Sequence, residues 1–157
     1  STANIDVMSF MMLSLNTLSI PYGSLEPGQR TDPLAATTTI RATGNVGLDE
    51  LLTGESMCPT YTNAITCANS STSTIAEFNQ VFATSSVTYG FATSTGKTLS
   101  STTQKELEIN VRKSTSTVTA ASGRTYWGIN VPVTLTLAGA YKGENTFYGK
   151  VSEPAGW

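Results

Sequence analysis

The side chains that could do chemistry in this sequence are few, and the usual catalytic base is missing. The chain contains no histidine, which removes the commonest general base and the commonest transition-metal ligand. A nucleophile would therefore need a lysine or a carboxylate beside it. Two carboxylate pairs exist, Asp49–Glu50 and Glu106–Glu108; the first predicts a polar turn, and the second predicts the solvent face of a strand. The sequence indicates a protein that is not an enzyme and holds no cofactor, and it disfavours a secreted hydrolase.

The sequence also gives little indication of a metal site. Oxygen ligands for a calcium ion could come from Asp6, Asp32 and Asp49, because hard cations prefer carboxylate and carbonyl oxygens. These residues are spread over the first third of the chain, and no single loop concentrates them. We therefore predict no metal site.

The two cysteines, Cys58 and Cys67, are separated by eight residues. Two thiols alone cannot complete a zinc site, so a short-range disulfide is the better interpretation. Such a bond implies an oxidising, extracytoplasmic compartment, and a start at "STANIDV" without Met is consistent with a signal peptide already removed. Asn69 opens the sequon Asn-Ser-Ser just after this loop and is a candidate N-glycosylation site, with an unmodified polar turn as the equal alternative.

The composition excludes some classes of partner. Only 13% of the 157 residues are charged and the net charge is -2, which leaves little electrostatic attraction for nucleic acid. The apolar run near the N-terminus is too short and interrupted to span a membrane. Ser and Thr together account for 45 residues, which favours pleated, half-buried strands and turns.

Turn residues recur about every ten residues, and the stretches between them alternate apolar and polar side chains. This pattern is typical of a sandwich or barrel. The strands it predicts lie at 5–15, 36–52 with a break at Gly44-Asn45, 81–91, 105–114, 125–139 and 140–152. The segment 16–33 is predicted to be an irregular edge strand and a loop. Two helical signals remain, at most a single turn at 48–52 and a helical spacing at 72–82, and within the latter we favour a strand from about Gln80.

The segment "TYWGINVP", Thr125–Pro132, concentrates aromatic and conformationally special residues. We expect Trp127 to pack between the sheets and Tyr141 to fill a corner, because large aromatics dominate sandwich cores. The alternative is a sugar-stacking platform on an adhesin or carbohydrate-binding module. Its aromatic residues would be Tyr126, Trp127, Tyr141, Phe147, Tyr148 and Trp157.

The most informative stretch for function is the apolar run at 5–15. As a strand it places one face on Ile5, Val7, Met11, Leu13 and Leu15, and the other on Met8, Phe10 and Met12. A strand that is apolar on both faces must be covered on both, since an exposed one invites aggregation. One solution is insertion into a groove of the next subunit; the other is a strand that closes its own sandwich. Repetition of a head-to-tail insertion would give an open filament.

Four further motifs occur in a fixed order: Tyr-Gly-x-Leu-x-Pro-Gly at 22–28, Thr-Gly-Asn-Val at 43–46, Trp-Gly-Ile-x-Val-Pro at 127–132 and Gly-x-Tyr-x-Gly at 139–143. In this order they resemble secreted immunoglobulin-like β-sandwich domains of prokaryotic surfaces, over about residues 20–148. The chain is similar in this respect to subunits of archaeal bundling pili and bacterial biofilm-matrix fibres. The resemblance implies a structural, filament-forming surface domain whose subunits pass a strand into a neighbour, and it carries over no active-site residue.

The sequence as a whole predicts an all-β, immunoglobulin-like two-sheet sandwich, mostly antiparallel and completed by a donor strand from a neighbour. Residues 1–15 would be the donor strand and 16–157 the single sandwich domain. The expected function is a structural subunit of an extracellular filament, pilus or surface layer that forms a homo-polymer, with attached glycans as a further expectation. The residues expected to join subunits are Ile5, Val7, Met8, Phe10, Met11, Leu13 and Leu15.

Overall fold

Seven β-strands and very little helix make up the part of the chain that the computed structural model describes, which is residues 8–63, 65–68, 70, 72–115 and 119–152. The strands are β1 (Leu13–Leu15), β2 (Ala36–Ala42), β3 (Leu48–Gly54), β4 (Gln80–Ala83), β5 (Lys105–Val111), β6 (Ala121–Ile129) and β7 (Asn145–Val151). The helices are α1 (Tyr89–Ser94) and a single 3-10 turn, Glu77–Asn79. The prediction of an all-β protein is confirmed.

The strands form two antiparallel sheets, one in the order β1-β2-β6-β4 and the other in the order β5-β3-β7. In the first sheet Ala42 of β2 pairs with Ala121, and Ala36 pairs with Trp127 of β6. In the second sheet Leu48 of β3 pairs with Val111 of β5 and Val151 of β7. The apolar faces of the two sheets pack against each other, as in a β-sandwich.

The core contains four apolar clusters; one joins α1 to the first sheet, and the other three follow one another along the sandwich. At one end, here called the near end, the buried members are Ile40, Ala42, Leu48 and Val111. In the middle they are Leu52, Phe82, Leu99, Leu107 and Trp127. At the opposite end, here called the far end, they are Ile75, Ile129, Val131 and Leu135.

Alternation along β5 is as the sequence predicts. Leu107 and Val111 are buried, whereas Glu108 is exposed. Asn110 has a positive φ of 52°, a conformation that asparagine tolerates better than most residues. Its backbone N–H donates to Asp49 Oδ1 at 2.7 Å, beside the point where the β3–β5 register shifts. The Asp49 carboxylate therefore stabilises this β-bulge by accepting a hydrogen bond.

The strand predicted at 36–52 with a break at Gly44-Asn45 is present as β2 and β3, and no helical turn forms at 48–52. The prediction that Asp49 and Glu50 form a polar turn is wrong, because both lie in β3 and both carboxyl groups are buried. The register shift between Leu48 and Glu50 allows adjacent residues to be enclosed, because a bulge changes the direction of a side chain.

Several predicted strands are longer than the observed ones, and two of them end well before their predicted ends. The strand from Gln80 is confirmed but ends at Ala83, and α1 begins at Tyr89 with the Thr88 hydroxyl capping it. The strand at 125–139 ends at Ile129. Pro132 lacks the N–H that a central ladder requires, and its carbonyl accepts from Leu135 N in a turn at 3.2 Å.

Among the described residues of the predicted strand at 5–15, the regular part is β1, which pairs with β2 of the same chain. Leu13 and Leu15 pack against the near-end cluster. Ile5 and Val7 lie outside the described residues. The segment Met8–Met12, here called the N-terminal segment, has no regular secondary structure.

Candidate functional site: an apolar groove and an apolar segment at opposite ends

A concave, mostly apolar surface lies at the far end. It is a groove of about 750 Å³. One wall is the loop 20–27 and the other is the loop 131–141, and the floor contains Met57, Ile75 and Ile129. Of the described residues that line it, only Glu26 is charged. A cavity of this size and lining is suited to apolar groups.

A turn joins the two walls at one edge of the groove. Gly28 N donates to Val131 O at 2.8 Å, and Val131 N donates to Gln29 O at 2.8 Å. Gly28 has a φ of +83°, which only glycine adopts easily. A Cβ on Gly28 would also meet Val133 Cγ1 at 3.0 Å. The Pro27-Gly28 pair therefore fixes the spacing of the walls.

Two tyrosines support the groove walls. Tyr22 packs on both the middle and the far-end clusters, and its hydroxyl donates to Gln80 Oε1 at 3.0 Å. Burial raises the pKa of Tyr22, so the ring stays neutral. Tyr141, which is partly buried, packs on the far-end cluster and donates to Leu137 O at 2.6 Å.

The predicted disulfide is present between Cys58 and Cys67, and it lies beside the groove. Cys58 exchanges two backbone hydrogen bonds with Lys142, at 2.9 and 3.1 Å. Met57, the preceding residue, pairs with Ile75 on the floor. The disulfide loop thus braces the wall that carries Tyr141. Asn69, the candidate glycosylation site, lies outside the described residues.

The N-terminal segment lies at the near end, on the turn between β2 and β3. Asn45 N donates to Phe10 O at 2.9 Å, and Thr43 N donates to Met12 O at 3.1 Å. The Asn45 side chain accepts from Phe10 N and donates to Met8 O. A Cβ on Gly44 would overlap the Phe10 carbonyl oxygen. The backbone of the segment is therefore held closely.

The side chains of the same segment face water. Met8 is 86% exposed, and the side chains of Phe10, Met11 and Met12 are also exposed. Met11 lies over β7, where a Cβ built on Gly149 would be 3.4 Å from its Sδ. Four large apolar side chains are thus displayed within five residues, and such contiguous exposure is unusual on a monomer.

Trp127 is fully buried between the sheets, as predicted. Its indole Nε1–H donates to Thr38 Oγ1 at 2.8 Å. Its ring centroid lies 5.8 Å from those of both Phe82 and Phe147. It cannot serve as the centre of a sugar-stacking platform.

Sequence reasoning missed a buried carboxyl group, that of Glu50 on β3. Glu50 has no solvent exposure, and Thr125 Oγ1 donates to its Oε2 at 2.5 Å. The other oxygen, Oε1, has no hydrogen-bond partner among the described residues. Desolvation raises the pKa of Glu50 to about 7, although the bond from Thr125 acts in the opposite direction. In the sequence, the only sign of this buried carboxyl is that the alternation of apolar and polar residues is interrupted at Asp49.

The remaining reactive groups are engaged in the structure of the domain. Asp32 pairs with Arg30 at 3.3 Å, whereas Asp49 holds the β-bulge, and Asp6 lies outside the described residues. Within the described ranges no group of three or more candidate ligands could hold a metal ion. Ser94 and Lys97 have the three-residue spacing of a nucleophile and its base, but they donate to different backbone carbonyls, those of Phe91 and Glu106.

No family model, curated protein or solved structure matches the chain. None of the helices in the described part of the chain is long and apolar enough to cross a membrane.

Proposed function

We propose that this protein is a structural subunit of an extracellular filament or surface layer, and that its copies join head to tail by exchange of the N-terminal apolar strand. The observation that carries the proposal is the display of Met8, Phe10, Met11 and Met12 on a backbone that is itself hydrogen-bonded. Burying a side chain of this type is worth about 1.5–3 kcal/mol. A partner that covers several of them would therefore gain substantial free energy.

The position of the segment supports an open assembly. A patch at one end of a molecule that fits a different surface at the other end makes a heterologous contact, and repetition of such a contact gives a filament or layer rather than a closed dimer. Leu13 and Leu15 are half-buried in their own domain. In the proposal they anchor the strand in its own subunit, while the residues before them enter the neighbour.

The composition and the disulfide support an extracellular location. The Cys58–Cys67 bond would persist in an oxidising compartment. A surface rich in hydroxyl groups and poor in charge suits close packing of subunits or attached sugars, and Asn69 is the proposed glycan acceptor in a host that modifies such sequons.

Electron microscopy and sedimentation velocity test this proposal on the full chain. We expect the wild-type chain to form fibres or sheets as its concentration rises. A four-serine variant, with Met8→Ser, Phe10→Ser, Met11→Ser and Met12→Ser, should remain monomeric because the apolar contact is lost.

The matched control replaces two other exposed apolar residues, Phe78→Ser and Phe91→Ser. Both are as exposed as Phe10, and neither lines the groove or belongs to the segment. The control should assemble like the wild type. A wild-type chain that stays monomeric at every concentration, or a four-serine variant that still assembles, would contradict the proposal.

A further inference from the structure

We propose that the far-end groove is the acceptor for residues 1–12 of a second copy of this chain. This inference rests on the proposed function and assigns the surface that receives the segment. It joins two apolar features of the molecule, the groove between loops 20–27 and 131–141 and the exposed N-terminal segment, which are at opposite ends of the sandwich.

The first step is that the two features are far apart in one molecule. Strand β6 runs from Ala121, in the near-end layer, to Ile129 on the groove floor. Eight residue steps at about 3.3 Å each separate these positions by about 26 Å. The N-terminal segment docks on the turn Thr43–Asn45, which follows the near-end residue Ala42.

The second step is that the N-terminal segment, where the structure places it, leaves the groove of its own copy open. Met8–Met12 dock on the turn at the near end, about 26 Å along the sandwich from the groove floor. From there residues 1–7 extend at most about 25 Å, so the docked segment does not bring its methionine and phenylalanine side chains to that groove. A segment released from its turn can enter the open groove of a second copy.

The third step is that both surfaces are mostly apolar. Among residues 1–12 only Asp6 is charged, and among the described lining residues only Glu26 is charged; both are acidic, so the attraction between the surfaces is apolar. The floor and walls present Met57, Ile75 and Leu135, against which Met and Phe side chains can pack. Methionine is unbranched and adapts to an irregular cavity, which suits a groove formed by two loops instead of a regular sheet.

The fourth step is that the rim of the groove is already apolar and exposed. Leu137 lines the groove and is 49% exposed, and the nearby Val133 is 79% exposed. Exposed apolar side chains at the rim extend the contact area beyond the floor. The groove and the N-terminal segment thus both expose apolar surface to water.

The test uses a labelled peptide of residues 1–12 and the full-length four-serine variant, whose own segment competes weakly because four of its apolar side chains are replaced. Fluorescence anisotropy should show saturable binding. Leu137→Glu in that background should weaken binding at least tenfold, and Ala138→Glu, a second exposed lining position, should do the same. The matched control Phe91→Glu adds the same charge at a residue 57% exposed on α1 and should bind like the parent.

Folding of each variant is checked by its thermal unfolding midpoint, which should be unchanged because both positions are exposed. Binding that is equal for the parent and for both glutamate variants would overturn the inference, as would the absence of binding. If the wild-type chain forms fibres but the peptide does not bind, the groove assignment fails while the filament function stands. If the peptide binds in the groove but the wild-type chain never assembles, the filament function fails while the groove assignment stands.

Discussion

Strand β6 runs through both the middle and the far end of the sandwich, but only the middle is covered by side chains of both sheets. In the middle, Trp127 of β6 packs against Phe82 and Phe147, and side chains of both sheets cover it. Ile129, the last paired residue of β6, and Val131 just after it continue the apolar surface to the far end, where loops form a groove of about 750 Å³. The same kind of apolar sequence therefore forms a closed core where two sheets face each other and leaves an open apolar surface where the paired strands end.

The largest effect on stability is expected in the closed layer. Trp127→Ala removes the ring and its hydrogen bond to Thr38, and a substitution of this type in a core costs about 3–5 kcal/mol. Urea unfolding at neutral pH measures the loss. A cost below about 1 kcal/mol would mean that the middle layer is not the main source of stability.

A slightly smaller effect is expected at Glu50, and it should depend on pH. Burial raises the pKa of Glu50 from an ordinary 4.5 to about 7, so the folded protein holds this proton more tightly than the unfolded chain does. The free energy of unfolding should therefore fall as pH rises from about 4.5 to 7, by about 3 kcal/mol in total. Urea unfolding at pH 5 and pH 8 measures this slope.

Glu50→Gln keeps the shape of the side chain without its charge. This variant should lose that slope and be more stable than the wild type at pH 8. Since Glu106 is partly exposed and paired with Lys150, Glu106→Gln is the control and should keep the slope. Parallel pH curves for the wild type and Glu50→Gln would contradict the assignment.

The disulfide is expected to contribute about 2.5 kcal/mol, because a bond that spans nine residues constrains a short loop of the unfolded chain. Cys58→Ser with Cys67→Ser should lower the free energy of unfolding by about that amount. It should also weaken peptide binding, since Cys58 pairs with Lys142 beside the groove wall. Unchanged peptide binding in the folded double variant would show that the wall does not depend on the disulfide.

The smallest effect on stability belongs to the groove rim. Leu137→Ser changes an exposed side chain, so its free energy of unfolding should stay within about 0.5 kcal/mol of the wild type. Its assembly should nevertheless be strongly reduced. A large loss of stability together with normal assembly would contradict this prediction, because it would mean that Leu137 contributes to folding and not to assembly.

Sequence pattern predicted much of the fold, because alternation is a local property. It identified β5, the break after β2 and the buried position of Trp127 correctly. It failed at Asp49 and Glu50, where adjacent carboxylates suggest solvent although a bulge and a threonine partner enclose them. It also failed after Ile129, because apolar alternation continues in a loop whose buried residues, Val131 and Leu135, pack on the far-end cluster.

Only one of the two parts of the candidate site could be predicted, because sequence patterns report local features. The apolar N-terminal run is contiguous and visible in the sequence. The groove is not, since its walls and floor come from four separated stretches around residues 20–27, 57, 75 and 129–141. Only tertiary structure brings these stretches together, and only the turn at Pro27-Gly28 gave a local signal.

The measurement that tests head-to-tail assembly most directly is a mixing experiment followed by sedimentation velocity. One partner carries Leu137→Glu and Ala138→Glu, which block the groove and keep the segment; the other is the four-serine variant, which keeps the groove. Each alone should be monomeric, and the equimolar mixture should give one complex of twice the 16.6 kDa chain mass that grows no further. A mixture that stays monomeric while the wild type assembles, or variants that polymerise alone, would contradict the account.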